Sequence, residues 1–372
     1  MTTPAWIVAA LLAVFTVRRW IYWAASLLPR RLGAPSRARS IVVLVAARNE
    51  EQRLPRLLSA LERTEYPHEL LSFVIASDGS TDATPDLARA WAGRMPRAQA
   101  LVLPVRRGKG AALQAAFAAS PASDLVAVVD ADTQPQPAAL AWLAGAFDDP
   151  AVGAACAYPD PGLAHTTTAA KYAALERWVS HLVTFAGKDR LALQPPVIGA
   201  FCCVRTAALA QIGGFPQGMA EDIQLSMELS RKRWKSRWIG RAVAREDVPP
   251  DLRAFRQQRL RWSRGLMSSG ARASGLEDLM VAAGYLDRLA FVAGIVLAVL
   301  GRLPAWLPLA YAAAPMVVIL TALWRAGAPN KLGYLWSVAP MAFVDIGVTL
   351  ESAIAQVVGT PLHWRSRADA PS

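Results

Sequence analysis

Four small clusters of chemically capable side chains lie between residues 78 and 262: Asp78; Asp130-Ala131-Asp132; Glu221-Asp222; and Gln258-Arg259-Leu260-Arg261-Trp262. Each acidic cluster closes an apolar run that reads as a buried strand, or stands beside a turn, so the carboxylates can gather at one edge of a sheet. Gathered carboxylates can ligate a hard divalent cation or take a proton from a hydroxyl, and an arginine fork matches phosphate oxygens. A dispersed constellation is harder to meet by chance than one short motif. It points to an enzyme acting on an anionic, diphosphate-bearing substrate.

The elements that must position these residues alternate. Ser40 to Ala46 is a continuous, largely β-branched run that ends at Arg48-Asn49-Glu50-Glu51 and is followed by Leu54, Leu57, Leu58 and Leu61 at helical spacing. Leu71 to Ser77 repeats the theme, ending in Asp78-Gly79-Ser80-Thr81-Asp82 before a helix from about Pro85 to Trp91. Leu101 to Pro104 reads as a short strand before Arg106-Arg107-Gly108-Lys109-Gly110 and a helix over Ala111 to Ala119, and Leu125 to Val129 runs straight into Asp130. Non-alternating buried strands separated by helices call for an α/β fold with a parallel, doubly wound sheet. Its ligand crevice lies beyond the carboxyl ends of the strands, where Glu50, Asp78, Lys109, Asp130 and Asp132 all fall. After Pro150 the pattern loosens into a helix over Thr168 to Ala186, a strand over Val197 to Arg205, a helix over Glu221 to Arg231 and a strand over Arg237 to Ala244.

The 372 residues are 54% hydrophobic, more than a soluble domain of this size needs, and the excess sits at the ends. Pro304 to Trp324 reaches the roughly 20 apolar residues of a span; Tyr285 to Gly301 is marginal, and Pro4 to Val17 is short unless Arg18 and Arg19 snorkel at its inner end. Phe343 to Gly359, interrupted by Asp345 and Glu351, reads as an interfacial helix that leaves His363-Trp364-Arg365 in the cytoplasm. A cleaved signal peptide fits poorly, because the arginines follow the first apolar run instead of preceding it. Arg18, Arg19, Arg30, Arg31, Arg37 and Arg39 place the next domain on the cytoplasmic side of a bacterial-type membrane by the positive-inside rule. The net charge of +12 concentrates beside apolar helices, which favours anionic lipid head groups over nucleic acid. The three cysteines and four histidines lack metal-ligand spacing, and the cysteines fit buried thiols in a reducing compartment.

On Arg48-Asn49-Glu50-Glu51, Ser77-Asp78-Gly79-Ser80-Thr81-Asp82, Asp130-Ala131-Asp132, Glu221-Asp222 and Gln258-x-x-Arg261-Trp262, in that order, residues 40 to 265 resemble a membrane-integrated family 2 glycosyltransferase. That group includes cellulose, chitin and hyaluronan synthases and the ceramide and hopanoid sugar transferases. Arg48 stands where the group usually has an aromatic, and Ala220 where it usually has Thr; neither change removes a charged participant. The resemblance implies a GT-A-like, mostly parallel doubly wound sheet flanked by transmembrane and interfacial helices. The domains would be a membrane anchor at 1–39, a cytoplasmic catalytic domain at 40–250, a basic interfacial region at 251–284 and membrane helices at 285–372.

It also implies roles. Asp78 would contact base and ribose, Asp132 would ligate Mg²⁺ or Mn²⁺ with Asp130 on the metal's water or the ribose, and Asp222 would be the catalytic base with Glu221 in support. Gln258, Arg261 and Trp262 would close over the nucleotide, and Glu50 and Lys109 would complete the donor site. Plainer readings stand beside these: Asp78 as a turn aspartate, the Asp-x-Asp as a solvated strand end, Glu221-Asp222 as helix N-terminal charges, and the basic helix as a head-group binder. The implied reaction is inverting transfer from a UDP-sugar to a lipid, polyprenyl or short glycan acceptor. Its rivals are a processive polysaccharide synthase, a nucleotidyltransferase and a silent sugar-nucleotide-binding membrane scaffold.

Overall fold

The computed structural model describes residues 3–29, 33–218, 220–270 and 286–358. It divides into an α/β unit, Arg31–Gly162 with Gln194–Asp247, and a helical unit, Met1–Arg30 with Leu163–Leu193 and Val248–Leu362. In chain order the elements are α1 (Thr3–Leu27), β1 (Ile41–Ala47), α2 (Leu54–Glu62), β2 (Leu71–Asp78), α3 (Thr84–Ala92), β3 (Ala98–Leu103), α4 (Lys109–Ala119), β4 (Leu125–Val129), β5 (Thr133–Pro135), α5 (Ala139–Gly145) and β6 (Val152–Asp160). They continue with α6 (Thr168–Trp178), a π-helical stretch Val179–Phe185, α7 (Ala186–Arg190), β7 (Phe201–Arg205), α8 (Thr206–Gln211), α9 (Glu221–Arg231), β8 (Lys235–Glu246), α10 (Leu252–Gly270), α11 (Leu286–Val299), α12 (Trp306–Arg325), a 3₁₀ stretch Pro329–Ser337 and α13 (Val338–Val357).

In the α/β unit eight strands form one sheet in the order β3-β2-β1-β4-β7-β6-β8-β5. β1 pairs in parallel with β2 and β4, and β2 with β3, as the continuous apolar runs predict. Alternate residues serve opposite faces. Val43, Val45, Phe73 and Ile75 pack with Leu57, Leu61 and Trp91 on one side, while Val42, Leu44 and Val74 pack with Ala112, Leu113 and Ala116 on the other. The sheet is mixed beyond β4: β7 runs antiparallel to both β4 and β6. The reversal matters for the site, because the chain entering β7 lies at the edge where β4 ends, and Asp130 N donates to Ala200 O across that edge at 2.9 Å.

In the helical unit three segments are long and apolar enough to cross a membrane: Thr3–Leu27, Trp306–Arg325 and Pro329–Ala355. The second matches the expected span. Of the marginal stretch, the described residues form α11, 14 residues long. The first segment extends to Leu27 and so reaches spanning length past Arg18 and Arg19; Arg19 Nη2 lies 2.5 Å from Asp287 Oδ2 and 2.9 Å from Tyr311 Oη, and Tyr311 belongs to a core with Leu12, Phe15 and Leu303. Asp345, expected to interrupt an interfacial helix, is instead buried against Tyr172 within the third apolar segment. His363-Trp364-Arg365 lie outside the described residues.

Candidate active site

Three loops of the α/β unit meet beyond the carboxyl ends of the parallel strands. The β1 and β2 loops are stitched together: Thr81 N donates to Asn49 Oδ1 at 2.9 Å, Ala83 N to Glu51 Oε2 at 3.1 Å, and Glu50 N to Thr84 Oγ1 at 2.8 Å. Asn49 takes the left-handed conformation, φ 53°, that lets the loop turn back. Glu50, half-buried, holds its carboxylate 3.1 Å from Arg53 Nη1.

Asp78 ends β2 fully buried, and its two carboxylate oxygens accept the backbone N–H groups of Arg107 and Gly108 at 2.7 and 2.8 Å. The next residue has to be glycine: φ is +59°, and a Cβ would stand 2.4 Å from Arg106 N. Asp78 therefore clasps the loop that delivers Lys109, a role that combines the turn reading with a place in the site wall.

Lys109, the first residue of α4, is the hub. Its ammonium lies 2.7 Å from Asp130 Oδ1 and 3.0 Å from Glu221 Oε1, and donates to Gly199 O at 3.2 Å. Gly199 N in turn donates to Asp222 Oδ2 at 3.1 Å. One backbone glycine so ties the ammonium to the Asp222 carboxylate, and a Cβ there would meet Lys109 Nζ at 2.6 Å. Sequence reasoning passed over Gly199, which it placed inside an expected strand over Val197 to Arg205; the strand begins only at Phe201, so Gly199 lies in the chain leading into it. Asp222 Oδ1 also accepts from Ile223 N at 2.8 Å, which anchors it in the first turn of α9.

Asp130 and Asp132 do not lie on an extended strand. Thr133 N donates to Asp130 O at 3.0 Å, closing a turn between β4 and β5, so the two aspartates are set by a turn and not by the alternation of a strand. The short antiparallel strand β5 forces this turn by pairing with β8.

Charge governs the cluster. Burial alone would lower the Lys109 pKa, but Asp130, Glu221 and Asp222 hold it well above the usual lysine range. Burial pushes Asp130 up to about 7; Lys109 pulls it down and Asp132 pushes it further up. Asp222 is raised by burial and by Glu221, against Lys109 and the N–H groups of Gly199 and Ile223. Asp130, Glu221 and Asp222 all act on one ammonium.

Gln258, Arg261 and Trp262 belong to α10 in the helical unit. Gln258 is buried, Arg261 is half-buried and Trp262 is exposed.

The family model described as "Glycosyltransferase like family 2" matches residues 38–265, more than half of the chain. The chain belongs to glycosyltransferase family 2. Its acidic clusters and the α10 motif all fall inside the matched segment. "Probable glycosyltransferase YdaM" of Bacillus subtilis (strain 168) is 26% identical over 230 residues, 60% of this chain and 54% of that protein. An "N-acetylglucosaminyltransferase" of Rhizobium meliloti (strain 1021) is 28% identical over 236 residues, 60% of this chain and 55% of that protein. The glycosyltransferase thus spans about half the length of the curated relatives it matches. Among solved structures, the mannosyltransferase PcManGT from Pyrobaculum calidifontis, in complex with GDP-Man and Mn²⁺, has a TM-score of 0.64 at 20% identity, covering 95% of this chain and 100% of that one. That likeness shows the GT-A-like fold of this family 2 glycosyltransferase.

Proposed function

We propose that the chain transfers a sugar, with inversion, from a nucleotide sugar to a membrane lipid, polyprenyl or short glycan acceptor at the cytoplasmic face of a membrane. The observation that carries this reading is the Lys109–Asp130–Glu221–Asp222 cluster around Gly199. It pairs a carboxylate whose proton affinity is raised with a group of acidic oxygens that has more negative than positive charge.

The cluster suits a hard divalent cation, Mg²⁺ or Mn²⁺. Its donors are carboxylate oxygens, and the Lys109 ammonium 2.7 Å from Asp130 is a stand-in cation that marks the demand. Among the described residues no group of three or more His, Cys, Asp or Glu has metal-site geometry. The protein would therefore contribute Asp132 and Asp130, and substrate phosphates and water the rest, the usual pattern for Mg²⁺. Such an ion, when bound, neutralises charge growing on the departing diphosphate.

Asp222 takes the acceptor hydroxyl's proton as that oxygen attacks the anomeric carbon from the side opposite the diphosphate; one displacement inverts the centre. A raised proton affinity makes it a better base than an ordinary aspartate. Glu221 and Lys109 set that affinity in opposite directions. Asp78 serves the nucleoside end by fixing the loop of residues 106–108 beside it, with Glu50 at the neighbouring loop. Gln258, Arg261 and Trp262 serve the nucleotide diphosphate and the acceptor, the arginine because its fork matches phosphate oxygens.

The names of the relatives put UDP-N-acetylglucosamine first in a panel of UDP- and GDP-sugars. Nucleotide release by the purified full chain, with Mn²⁺ or Mg²⁺ and a membrane lipid extract, tests the reading. Release that needs one sugar, metal and lipid, and is lost in Asp222→Asn, supports it. Pyrophosphate release would favour a nucleotidyltransferase, nucleotide binding without turnover a scaffold, and long products without lipid a processive synthase.

A further inference from the structure

The basic helix α10 does not offer all its arginines to a lipid surface. Arg259 is 5% exposed, and its guanidinium is ion-paired with Glu176 of α6 while its Nε lies 3.4 Å from Asp345 Oδ1 of α13. Asp345 is sealed too, at 1% exposure, and its other oxygen accepts the Tyr172 hydroxyl of α6 at 2.8 Å. Around the ions lies an apolar wall of Ala169, Tyr172, Ala173, Phe255 and Met341. Three helices of the helical unit therefore meet at one buried arginine held by two carboxylates.

Packing alone does not require this. An apolar trio of similar volume would avoid the desolvation of three charges, and buried ion networks contribute little net stability. What they supply is a single geometry, because any rotation of a helix separates Arg259 from Asp345, and neither has water to fall back on. Here the fixed geometry reaches a functional side chain directly. The Arg259 guanidinium lies over the Phe255 ring at 4.7 Å and over the Trp262 ring at 5.0 Å. Phe255 is four residues before Arg259 and Trp262 three after, so all three share one helix face. Holding Arg259 holds the Trp262 indole against it, and Gln258 is the adjacent residue.

We propose that Arg259, clamped by Glu176 and Asp345, is a positioning residue: it fixes the rotation of α10 and the rotamer of Trp262, and so sets the affinity of the Gln258-x-x-Arg261-Trp262 motif for the nucleotide. The proposal rests on the nucleotide-sugar reading above. It assigns Asp345, a lone carboxylate within an apolar segment, the task of coupling that segment to the donor motif. The neighbouring pair Arg256–Glu351 joins the same two helices but is exposed on both sides, and it serves as the comparison.

The experiment measures binding of UDP and of GDP to the full chain in detergent, alongside its melting temperature. Asp345→Asn and Arg259→Lys are expected to weaken binding of the preferred nucleotide by about tenfold, since the lysine keeps the charge but loses the planar fork and stack. Glu351→Gln is expected to change it by less than about twofold. Because single changes strand a buried charge, a combined Glu176→Gln, Arg259→Met, Asp345→Asn variant removes all three. It is expected to melt close to wild type yet keep the binding defect; a merely structural network predicts that binding returns with stability, and that result overturns the proposal. Wild-type affinity retained in Asp345→Asn and Arg259→Lys overturns it alone, whereas a wild-type chain that binds neither nucleotide takes down the proposal together with the reading beneath it.

Discussion

The two units each hold one cation between carboxylates, and the two arrangements differ in their access to water. In the α/β unit the Lys109 side chain keeps 24% of its exposure and that of Asp130 31%; in the helical unit the Arg259 side chain keeps 6% and that of Asp345 none. The first cluster is built on loop ends and a glycine, the second on three helices and two aromatic rings. Lys109 meets Asp130 and Glu221 directly and Asp222 through Gly199, whereas Arg259 meets Glu176 and Asp345. An open cluster with surplus negative charge can take up further cations, substrate and protons. A largely sealed one can only hold shape.

The largest effect that sharpens this contrast is on turnover. Asp222→Asn keeps size and removes the base, so sugar transfer should fall by about 10²–10⁴-fold with the melting temperature little changed, read by nucleotide release and thermal melting. A variant that melts early as well would mean that Asp222 also belongs to the holding kind of cluster.

Next comes stability. Arg259→Met strands the buried Asp345 carboxylate and the partly exposed one of Glu176, and should cost about 3 kcal/mol in denaturant or thermal unfolding. Lys109→Met, beside water, should cost about 1 kcal/mol and be compensated by added Mn²⁺. Equal losses, with no response to metal, would erase the distinction between open and sealed.

Lys109→Met also predicts a shift in pH dependence. The ammonium lowers the proton affinity of Asp222 and Asp130. Its removal raises both, so the base is protonated at a higher pH than before, and the acid limb of kcat/KM moves upward in pH. An unmoved or lowered limb would take Lys109 out of the catalytic electrostatics. The smallest effect is Arg256→Gln, an exposed ion pair, expected to change unfolding free energy by less than about 1 kcal/mol.

Much of the open cluster was legible in the sequence, because local signals carry it. β4 and α9 have their expected ends, Val129 before Asp130 and Glu221 opening the first turn, since a continuous apolar run and a first-turn acid pair are short-range patterns. β6 went unread: Val152–Asp160 is buried but rich in alanine and poor in β-branched residues, so its strand character comes from its neighbours in the sheet. The turn at Asp130 was hidden for a similar reason, being imposed by the pairing of β5 with β8. Gly199 meets Lys109 across 90 positions, and Tyr172 meets Asp345 across 173. No spacing rule links such residues. The sealed cluster was therefore missed, with Arg259 given no role of its own and Asp345 taken as a sign of an interface.

The most direct test of the division of labour is to measure nucleotide affinity and single-turnover sugar transfer on the same preparations of wild type, Asp222→Asn and Asp345→Asn. The account predicts a crossed pattern: Asp222→Asn binds like wild type and does not transfer, while Asp345→Asn binds more weakly but transfers once saturated. Transfer retained in Asp222→Asn would contradict the account, because the open cluster would then not contain the base.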